Sequence, residues 1–357
     1  MAEITKNQIE TPALLVDLDI LERNIRVMSE YMKDKTSSLR PHFKTDKCPA
    51  ISHKQISAGA KGITCAKLSE AEVLVASGIK DVLIANQVVD PVKIYRLAGL
   101  AHGDAKITVL VDNAENIDAL AEAASRVGST LYVLVELDVG TGKCGVTTAE
   151  DVLLLAKKIT SARGLVFEGI QAYEGHLGHI ADYDKRYIGM QAIIEKVSGV
   201  KKLLEDNGLP VNQISGGGTG TYNITGNNTI WTEIQAGSYL FMDLEYNKLG
   251  LKFENSLTVL ATVIHKRHGT AITDAGQKVC SVDCGMPVIK GHPGLKVVEV
   301  EEHGVISDEN DELEYLQKIE YIPGHCCTTV NLHDRYYCVR NGLLESVWPV
   351  SGRGKSQ

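Results

Sequence analysis

Short apolar segments alternate with longer amphipathic segments from about residue 38 to residue 240. Short runs rich in β-branched residues are typical of strands, and apolar positions at helical spacing are typical of helices. A helix is predicted at residues 69–77, which begin with a serine cap that is followed by Glu72 three residues later. A second helix is predicted at residues 182–207, where apolar residues recur at helical spacing. The eight predicted strands are residues 38–44, 62–66, 81–86, 107–112, 131–138, 167–173, 213–218 and 232–239.

Strands and helices that alternate through eight repeats predict an α/β fold, a closed parallel (β/α)8 TIM barrel. An open doubly wound sheet is the alternative. Such a sheet usually has fewer strands and divides the chain into two halves of different composition. The barrel is therefore favoured, and its first helix is predicted at residues 19–31.

After residue 245 the pattern changes to apolar runs joined by short charged or glycine-containing turns, with no helical spacing between them. This pattern predicts an appended C-terminal antiparallel β domain. We expect two domains, a barrel at residues 12–245 and a β domain at residues 246–357 that also includes residues 1–11. The predicted strands of the β domain are residues 257–265, 270–275, 278–283, 296–301, 318–321 and 328–340.

The composition of the chain limits the kinds of molecule that we expect it to bind. The 357 residues carry a formal net charge of -8, and no basic stripe suits a nucleic acid or an anionic membrane. No apolar stretch of about 18 residues is present, and the N-terminus lacks the apolar core of a signal peptide. The 8 cysteines are spread along the chain, which is typical of reduced thiols. We predict a cytoplasmic protein that acts on a small molecule.

Lys44 is the first candidate for chemistry, because it ends the first predicted barrel strand in the run RPHFKT at residues 40–45. A lysine at the end of a buried strand is expected to be withdrawn from water, which favours a neutral amine that can attack a carbonyl. A single lysine at a strand end is commonly an ordinary surface residue. The other strand ends decide between these two interpretations.

Nearly all predicted barrel strands end in polar residues, at the edge where barrels of this kind carry their catalytic groups. Two glycine-rich runs, GGGTGT at residues 216–221 and AGSY at residues 236–239, follow the seventh and eighth strands. Glycine permits close approach of backbone N–H groups to a phosphate, although tight turns also require glycine. A phosphate site and a buried amine in one barrel mouth indicate pyridoxal 5'-phosphate, held as a Schiff base on Lys44.

A second candidate site lies in the predicted β domain, in the run PGHCCTTV at residues 323–330. On an extended segment, residues i and i+2 point to the same side, so His325 and Cys327 can share a ligand while Cys326 faces away. Imidazole and thiolate suit zinc, with open positions left for water or substrate. A histidine and a cysteine at this spacing also occur without a metal, and both interpretations stay open here.

The motifs together resemble a known family. The chain is similar to the fold-type III, alanine-racemase-like enzymes of D-3-hydroxy amino acids, which include D-threonine aldolases, 3-hydroxy-D-aspartate aldolases and metal-dependent D-serine dehydratases. The likeness extends from TPALLVDLD at residues 11–19 to WPVSGRGK at residues 348–355. It is carried by the motifs HFK at 42–44, GGGTG at 216–220, QAGSY at 235–239 and PGH at 323–325.

The resemblance implies roles for individual residues. Lys44 would carry the cofactor, Tyr173 would contact its ring, and His179 would be a general base. One divalent ion, zinc or manganese, would be bound by His325 and Cys327. The resemblance also implies a homodimer. The residues that would bind the phosphate end of the cofactor are Gly218, Thr219, Gly237, Ser238 and Tyr239.

Two positions depart from the pattern of the aldolases. Cys327 stands where they usually have aspartate, as in the D-serine dehydratases. Lys143 stands where relatives commonly carry arginine, and a lysine cannot reproduce a bidentate guanidinium contact. The run QAY at residues 171–173 is closer to the aldolases, so Cys327 and the barrel motifs favour different branches.

The resemblance implies an aldolase that cleaves a D-3-hydroxy amino acid to glycine and an aldehyde. In this route His179 takes the proton of the 3-hydroxyl group, and the Cα–Cβ bond breaks. The alternative is a dehydratase, in which Lys44 removes the Cα proton and the hydroxyl group is lost, giving a 2-oxo acid and ammonia. In both routes the metal on His325 and Cys327 binds the 3-hydroxyl group and lowers its pKa.

Three other classes of protein remain as alternatives to an aldolase or a dehydratase. An alanine racemase would need a tyrosine from the β domain as a second base and no metal. A non-enzymatic pyridoxal-phosphate carrier is usually a barrel without the appended domain formed here by residues 246–357. A hydrolase that uses only a metal would leave the glycines after the seventh and eighth strands without a role.

Overall fold

The structure, a computed structural model, describes residues 3–357. Contacts between Cα atoms divide it into two compact units. The barrel unit comprises Ser29–Lys44, Ile51–Gly237 and Lys355–Gln357, and the β unit comprises residues 3–28, Thr45–Ala50 and Ser238–Gly354. The domain boundaries at residues 12 and 245 stay a prediction, and their extension to residues 1 and 2 lies outside the described residues.

Residues 3–357 form seventeen strands in two sheets, and each predicted barrel strand corresponds to one of them. The strands are, in chain order, β1 Ala13–Asp17, β2 Ser38–Leu39, β3 Ile63–Cys65, β4 Asp81–Gln87, β5 Lys106–Val111, β6 Leu131–Glu136, β7 Leu165–Gln171, β8 Gln213–Gly216, β9 Glu233–Ile234, β10 Leu257–Arg267, β11 Gly269–Thr273, β12 Val288–Ile289, β13 Lys296–Val300, β14 Gly304–Asp308, β15 Lys318–Ile322, β16 Arg335–Arg340 and β17 Leu343–Pro349.

The helices include the three that the sequence predicts. None of those in residues 3–357 is long and apolar enough to cross a membrane. Lys6–Gln8 and Ser238–Leu240 form 3-10 turns. The α-helices are α1 Leu18–Met32, α2 Pro49–Ser57, α3 Leu68–Ala76, α4 Pro91–Leu100, α5 Ala114–Val127, α6 Ala149–Ser161, α7 Tyr183–Asp206, α8 Tyr222–Thr225, α9 Leu244–Asn247 and α10 Cys326–Val330.

The barrel unit contains an eight-stranded parallel sheet in the order β2-β9-β8-β7-β6-β5-β4-β3. Its two ends meet beyond β2, where His42 forms a parallel bridge with Thr64 of β3. The Phe43 N–H donates to the Thr64 carbonyl oxygen at 2.7 Å, and the Thr64 N–H donates to the Pro41 oxygen at 2.9 Å. The sheet is therefore closed, and the predicted (β/α)8 TIM barrel is confirmed.

Side chains alternate between the two faces of the barrel sheet, as the period of a strand requires. In β5, Ile107 and Val109 belong to the large apolar cluster shared with the helices, whereas Leu110 belongs to a small separate cluster with Leu83 and Leu134. The barrel interior is completed by polar side chains, among them the fully buried Arg40. The interior is therefore filled with side chains, as in other barrels of this kind.

The predicted serine cap of the helix at residues 69–77 is wrong, and α7 has a cap that the sequence analysis did not single out. The Asp182 side chain accepts from the Lys185 N–H at 3.1 Å and so caps α7. At α3, the predicted cap Ser69 lies inside the helix, which begins at Leu68. Glu70 performs the capping instead, because its carboxylate accepts from the Ala66 N–H at 2.8 Å.

The β unit contains the second sheet, whose strands pair in the order β13-β14-β11-β10-β1-β16-β17, with β15 beside β10 and β12 beside β15. All of these pairs are antiparallel except β1 with β16. The predicted antiparallel β fold is thus confirmed, with one parallel pair. The N-terminal segment joins the same sheet, since Thr5 forms an antiparallel bridge with Leu343.

Two predicted strands of the β unit are wrong. Residues 278–283 form turns, in which the Cys280 N–H donates to the Gly276 oxygen at 3.0 Å. The first part of the predicted strand at residues 328–340 lies in and after helix α10, and the strand begins only at Arg335. In this helix the His325 carbonyl oxygen accepts from the Thr329 N–H at 3.4 Å and from the Thr329 hydroxyl group at 2.9 Å.

Candidate active site

Lys44 lies just beyond β2, at the end of the barrel where the parallel strands terminate. Its N–H donates to His42 Nδ1 at 3.3 Å, and the adjacent Phe43 takes the core position with only 1% of its surface exposed. Lys44 itself is exposed, so the prediction that its amine is withdrawn from water is wrong. The amine instead borders an open pocket, where a small molecule can reach it.

The pocket at the barrel mouth has a volume of about 460 Å³. As the sequence predicts, the pocket is lined by polar residues from the ends of several strands. These residues belong to β4, to β6 and to the segment after β7. A cavity of this size and position is where barrel enzymes bind their ligands. Its lining residues are Lys44, Ala85, Asn86, Gln87, Glu136, Thr141, Lys143, Cys144, Tyr173, Gly175, His176 and His179.

Tyr173 stands beside the lysine, with its ring centroid 5.9 Å from Lys44 Nζ. One glycine makes room for this ring, and a second lies in ordinary contact distance of it. A Cβ atom on Gly175 would lie 2.7 Å from Tyr173 Cε1, and one on Gly218 would lie 3.5 Å from Tyr173 Cε2. The strand-seven segment and the glycine loop therefore meet at this aromatic ring, which the sequence predicted as a contact for the cofactor ring.

The glycine-rich loop after β8 is held by Glu174, a buried carboxylate that the sequence analysis did not single out. Glu174 accepts from the Gly217 N–H at 3.0 Å and from the Thr221 hydroxyl group at 2.6 Å. Gly217 has φ of 72°, in the region that favours glycine. The Gly218 N–H donates to Thr221 Oγ1 at 3.0 Å, so this N–H is already engaged within the loop.

The end of β9 is tied to the same loop within the barrel unit. The Gln235 N–H donates to the Gly216 oxygen at 2.9 Å, and its side chain donates to Ser215 Oγ at 2.7 Å. These bonds fix the backbone that leads to Gly237, the last barrel-unit residue of this stretch. In the β unit, Tyr239 is fully buried, and its ring packs 5.4 Å from that of Phe253.

His176 and His179 both line the pocket, on a compact turn between β7 and α7. The turn is closed by the Leu177 N–H, which donates to the Glu174 oxygen at 3.0 Å. Its far end is held by the buried Arg186, which donates to the Ala181 oxygen at 3.0 Å. The structure therefore brings the predicted base His179 into the same pocket as Lys44.

An acidic cluster occupies one wall of the pocket. The ligand atoms of Asp112, Glu136 and Cys144 lie within 4.8 Å of one another, and Gln87 donates to Glu136. Burial raises the pKa of Glu136, and the negative charge of Asp112 adds to this effect. Burial also raises the pKa of Cys144, as do the two carboxylates. The thiol next to Lys143 is therefore held in its protonated form.

In the β unit, the predicted metal ligands His325 and Cys327 lie together, although not for the predicted reason. His325 is extended and caps α10, while Cys327 lies in the helix. The pKa of His325 is raised to about 9, mainly by a hydrogen bond with Cys327. Asp283 also raises this pKa, whereas burial lowers it. The Cys327 sulfur lies 3.5 Å from Thr45 Oγ1 and 4.0 Å from Ser238 Oγ.

Two further candidate ligands were missed by the sequence analysis. The ligand atoms of Asp283, Cys284 and His325 lie within 4.8 Å of one another. Asp283 Oδ2 lies 2.8 Å from His325 Nδ1. The two residues are 42 positions apart, and Asp283 was assigned to a strand that does not form, so no local signal connected them.

The side chains fit the two groups that the sequence predicts. An accessible amine and an aromatic ring in one pocket, with a braced glycine loop beside that ring, are what pyridoxal phosphate requires. Imidazole nitrogen, thiol sulfur and a carboxylate in the β unit are ligands that zinc accepts. A closed parallel barrel with this lysine at its mouth and an added β unit define an α/β-barrel enzyme of fold type III.

Comparison with known proteins supports this class. The family model described as "Alanine racemase, N-terminal domain" matches residues 16–245, and "Putative serine dehydratase domain" matches residues 256–339. The chain therefore belongs to the alanine-racemase-like family of pyridoxal-phosphate enzymes, and like its relatives it is a lyase.

The similar proteins are matched over nearly their whole length. A 3-hydroxy-D-aspartate aldolase of Paracoccus denitrificans (strain Pd 1222) is 43% identical, covering 98% of this chain and 94% of that protein. A D-threonine aldolase of Arthrobacter sp is 40% identical, with the same coverage of 98% and 94%. The crystal structure of D-threonine aldolase from Filomicrobium marinum superposes with a TM-score of 0.97 at 37% identity, covering 100% and 99% of the two chains. A D-threo-3-hydroxyaspartate dehydratase of Delftia sp. (strain HT23) is more distant at 29% identity, covering 90% and 92%.

Proposed function

We propose that this protein is an aldolase that depends on pyridoxal phosphate and a divalent metal, and cleaves D-3-hydroxy amino acids such as D-threonine to glycine and an aldehyde. The observation that carries the proposal is the pocket in which Lys44, Tyr173 and His179 lie together. The two relatives at 43% and 40% identity are both named as aldolases, which supports the same reaction.

In this proposal Lys44 holds the cofactor covalently, and Tyr173 contacts the cofactor ring. The centroid of the Tyr173 ring lies 5.9 Å from the Lys44 amine. Bound pyridoxal phosphate supplies an electron sink for a bond that breaks at the substrate Cα. Glu174 and Thr221 keep the glycine loop in place for the phosphate. The proposed phosphate contacts are Gly218, Thr219, Gly237, Ser238 and Tyr239.

His179 is the proposed base for the proton of the substrate 3-hydroxyl group, since it lines the pocket and is exposed to it. His325 and Cys327 are the proposed protein ligands of one divalent ion, zinc or manganese. Such an ion, when bound, acts as a Lewis acid that lowers the pKa of the hydroxyl group. At one wall of the pocket, burial raises the pKa of Glu136.

A dehydratase is the second candidate, because Cys327 resembles the dehydratase pattern and residues 256–339 match the putative serine dehydratase domain. In that reaction Lys44 would remove the Cα proton, and loss of the hydroxyl group would give a 2-oxo acid and ammonia. The greater distance of the dehydratase relative, at 29% identity, places this function second.

Incubation of the purified enzyme with D-threonine, pyridoxal phosphate and zinc or manganese separates the two reactions. The aldolase gives glycine and acetaldehyde in equal amounts. Formation of 2-oxobutanoate and ammonia instead would replace the aldolase by the dehydratase. Epimerisation at Cα to L-allo-threonine that persists in chelator would exclude both.

We further propose a cytoplasmic homodimer that acts only on small molecules. The acidic net charge of -8 supports the absence of nucleic-acid and membrane partners, and the spread of the cysteines supports a reducing compartment. Light scattering coupled to gel filtration is expected to give about twice the chain mass of 38.7 kDa.

A further inference from the structure

The carboxylate of Asp283 is fixed by three side chains within the β unit. Its Oδ2 atom lies 2.8 Å from His325 Nδ1. Its Oδ1 atom accepts from the Ser281 hydroxyl group at 2.7 Å and from the Thr328 hydroxyl group at 2.9 Å. A carboxylate with this many partners has a defined position even though it is partly exposed, so it can orient the imidazole that it contacts.

The contact with Asp283 assigns the two nitrogens of His325. A carboxylate oxygen only accepts, so Nδ1 must carry the hydrogen in the bond to Asp283. In the neutral ring that binds a metal, Nε2 is then the nitrogen with the lone pair. Thr328 lies in α10 with Cys327, so one carboxylate ties the histidine to the helix that carries the cysteine.

We propose that Asp283 is a positioning residue of the metal site, which holds His325 in the tautomer that presents Nε2 to the ion and is not itself a ligand. This inference rests on the metal site of the proposed function. Histidine ligands of zinc commonly donate their second ring N–H to a carboxylate, and loss of that partner typically weakens metal binding about 10- to 100-fold.

Direct ligation by Asp283 and Cys284 is the competing arrangement, because both lie near His325. The distance between Asp283 Oδ2 and His325 Nδ1 is 2.8 Å, which is a hydrogen-bond distance. Two ligand atoms at about 2.0–2.1 Å from a tetrahedral zinc ion are roughly 3.3 Å apart. In addition, Nδ1 cannot both donate to Asp283 and bind an ion, so the geometry favours the positioning role.

The test measures zinc binding to the metal-free full-length protein by competition with a chromogenic chelator. Asp283→Ala is expected to weaken zinc binding about 10- to 100-fold. Asp283→Asn, whose amide oxygen still accepts from Nδ1, is expected to recover most of the affinity. Cys284→Ala is the matched control from the adjacent position, and its affinity is expected to equal that of the wild type. Circular dichroism and thermal melting verify that each variant is folded.

A second readout observes the tautomer directly. In zinc-loaded protein labelled with 15N-histidine, the His325 signals, assigned with His325→Gln, are expected to show a proton on Nδ1 in the wild type and in Asp283→Asn. In Asp283→Ala the Nδ1 proton signal is expected to lose its hydrogen-bonded, low-field position. A role limited to the stability of the fold would leave this signal unchanged.

The outcomes separate this inference from the proposed function. If the wild type binds zinc and Asp283→Ala binds it equally well, the inference alone is wrong. If Asp283→Asn is as weak as Asp283→Ala and Cys284→Ala is equally weak, Asp283 and Cys284 are ligands and the positioning role is overturned. If the wild type binds no zinc or manganese and cleaves D-threonine fully in chelator, the metal site itself is wrong, and the inference fails with it.

Discussion

The Lys44 amine lies 5.9 Å from the centroid of the Tyr173 ring, within the range of a cation–π contact. Replacing the ring is therefore expected to affect what binds at the amine. Tyr173→Ala is predicted to weaken pyridoxal-phosphate binding about 3- to 10-fold, since an aromatic contact contributes about 0.5–1.5 kcal/mol. Tyr173→Phe keeps the ring and is expected to bind the cofactor nearly as well as the wild type. Absorbance after dialysis against known cofactor concentrations measures both affinities, and equal affinity for the alanine variant would contradict the ring contact.

Two glycines of the loop after β8 are predicted to respond differently to alanine. A Cβ atom on Gly220 would lie 1.9 Å from the Gly178 oxygen, whereas one on Gly218 would make an ordinary 3.5 Å contact with Tyr173. Gly220→Ala is expected to cost about 3 kcal/mol of stability and lower the Tm. Gly218→Ala is expected to keep the wild-type Tm and to lose cofactor affinity, because the methyl group crowds the phosphate. Wild-type cofactor binding by Gly218→Ala would remove Gly218 from the phosphate site.

A buried ion pair is predicted to stabilise the barrel strongly. Arg40 Nε lies 3.0 Å from both carboxylate oxygens of Glu233, and neither side chain is exposed. Arg40→Ala removes the buried guanidinium that faces both Glu233 and Asp81, and Glu233 then keeps the partly exposed Lys61 at 3.4 Å. This loss is expected to cost about 3–5 kcal/mol. Lys202→Ala is the matched control, because its pair with Asp206 is exposed and is expected to contribute no measurable stability. Thermal unfolding compares the two, and equal Tm values would show that the buried pair contributes little.

The stability of the β unit is predicted to depend on pH through Glu320. Burial alone would raise the pKa of this carboxyl group, but the ion pairs with Lys6 and Lys290 and the Thr258 hydroxyl group together lower it. A folded-state pKa below the unfolded value gives stability above about pH 4.3 that is lost as the pH falls through the folded value. Glu320→Gln is therefore expected to lower the Tm at pH 7, and the difference should shrink steadily as the pH falls below about 4.3. A difference that grows as the pH falls would reverse the sign of the pKa shift.

Chelation is predicted to abolish cleavage of D-threonine while the visible absorbance of the bound cofactor remains. His325→Ala is expected to have the same effect, because the ion and the cofactor are held by different residues. Added zinc should restore the chelated wild type but not the variant. Full turnover in chelator would remove the metal from the reaction.

The sequence predicted the barrel well because each strand and helix leaves a local pattern of its own. The run at residues 107–112 and the helix capped by Asp182 appear within a residue or two of their predicted positions. The turn after β2 was harder, since the apolar Phe43 takes the core position and leaves Lys44 exposed. The exposure of a single side chain depends on the path of the turn, which the pattern of apolar residues does not determine.

The residues that the sequence missed act through contacts that are distant along the chain. Glu174 braces Gly217, 43 residues away, and Asp283 meets His325 at a separation of 42 residues. The strand predicted at residues 328–340 begins with the β-branched run TTV, yet these three residues lie in helix α10, where the Thr329 hydroxyl group donates to the His325 carbonyl oxygen. In each case a polar contact overrides or supplements the local pattern, and such contacts have no periodic signal.

The covalent bond between Lys44 and pyridoxal phosphate is the central claim, and borohydride reduction followed by peptide mapping tests it most directly. Reduction fixes the cofactor on the amine that carries it, and mass spectrometry then identifies the lysine. The modified peptide is predicted to contain Lys44, and Lys44→Ala should yield no labelled peptide and no visible absorbance. A reduced adduct on another lysine, such as the pocket residue Lys143, or no adduct at all, would contradict the claim.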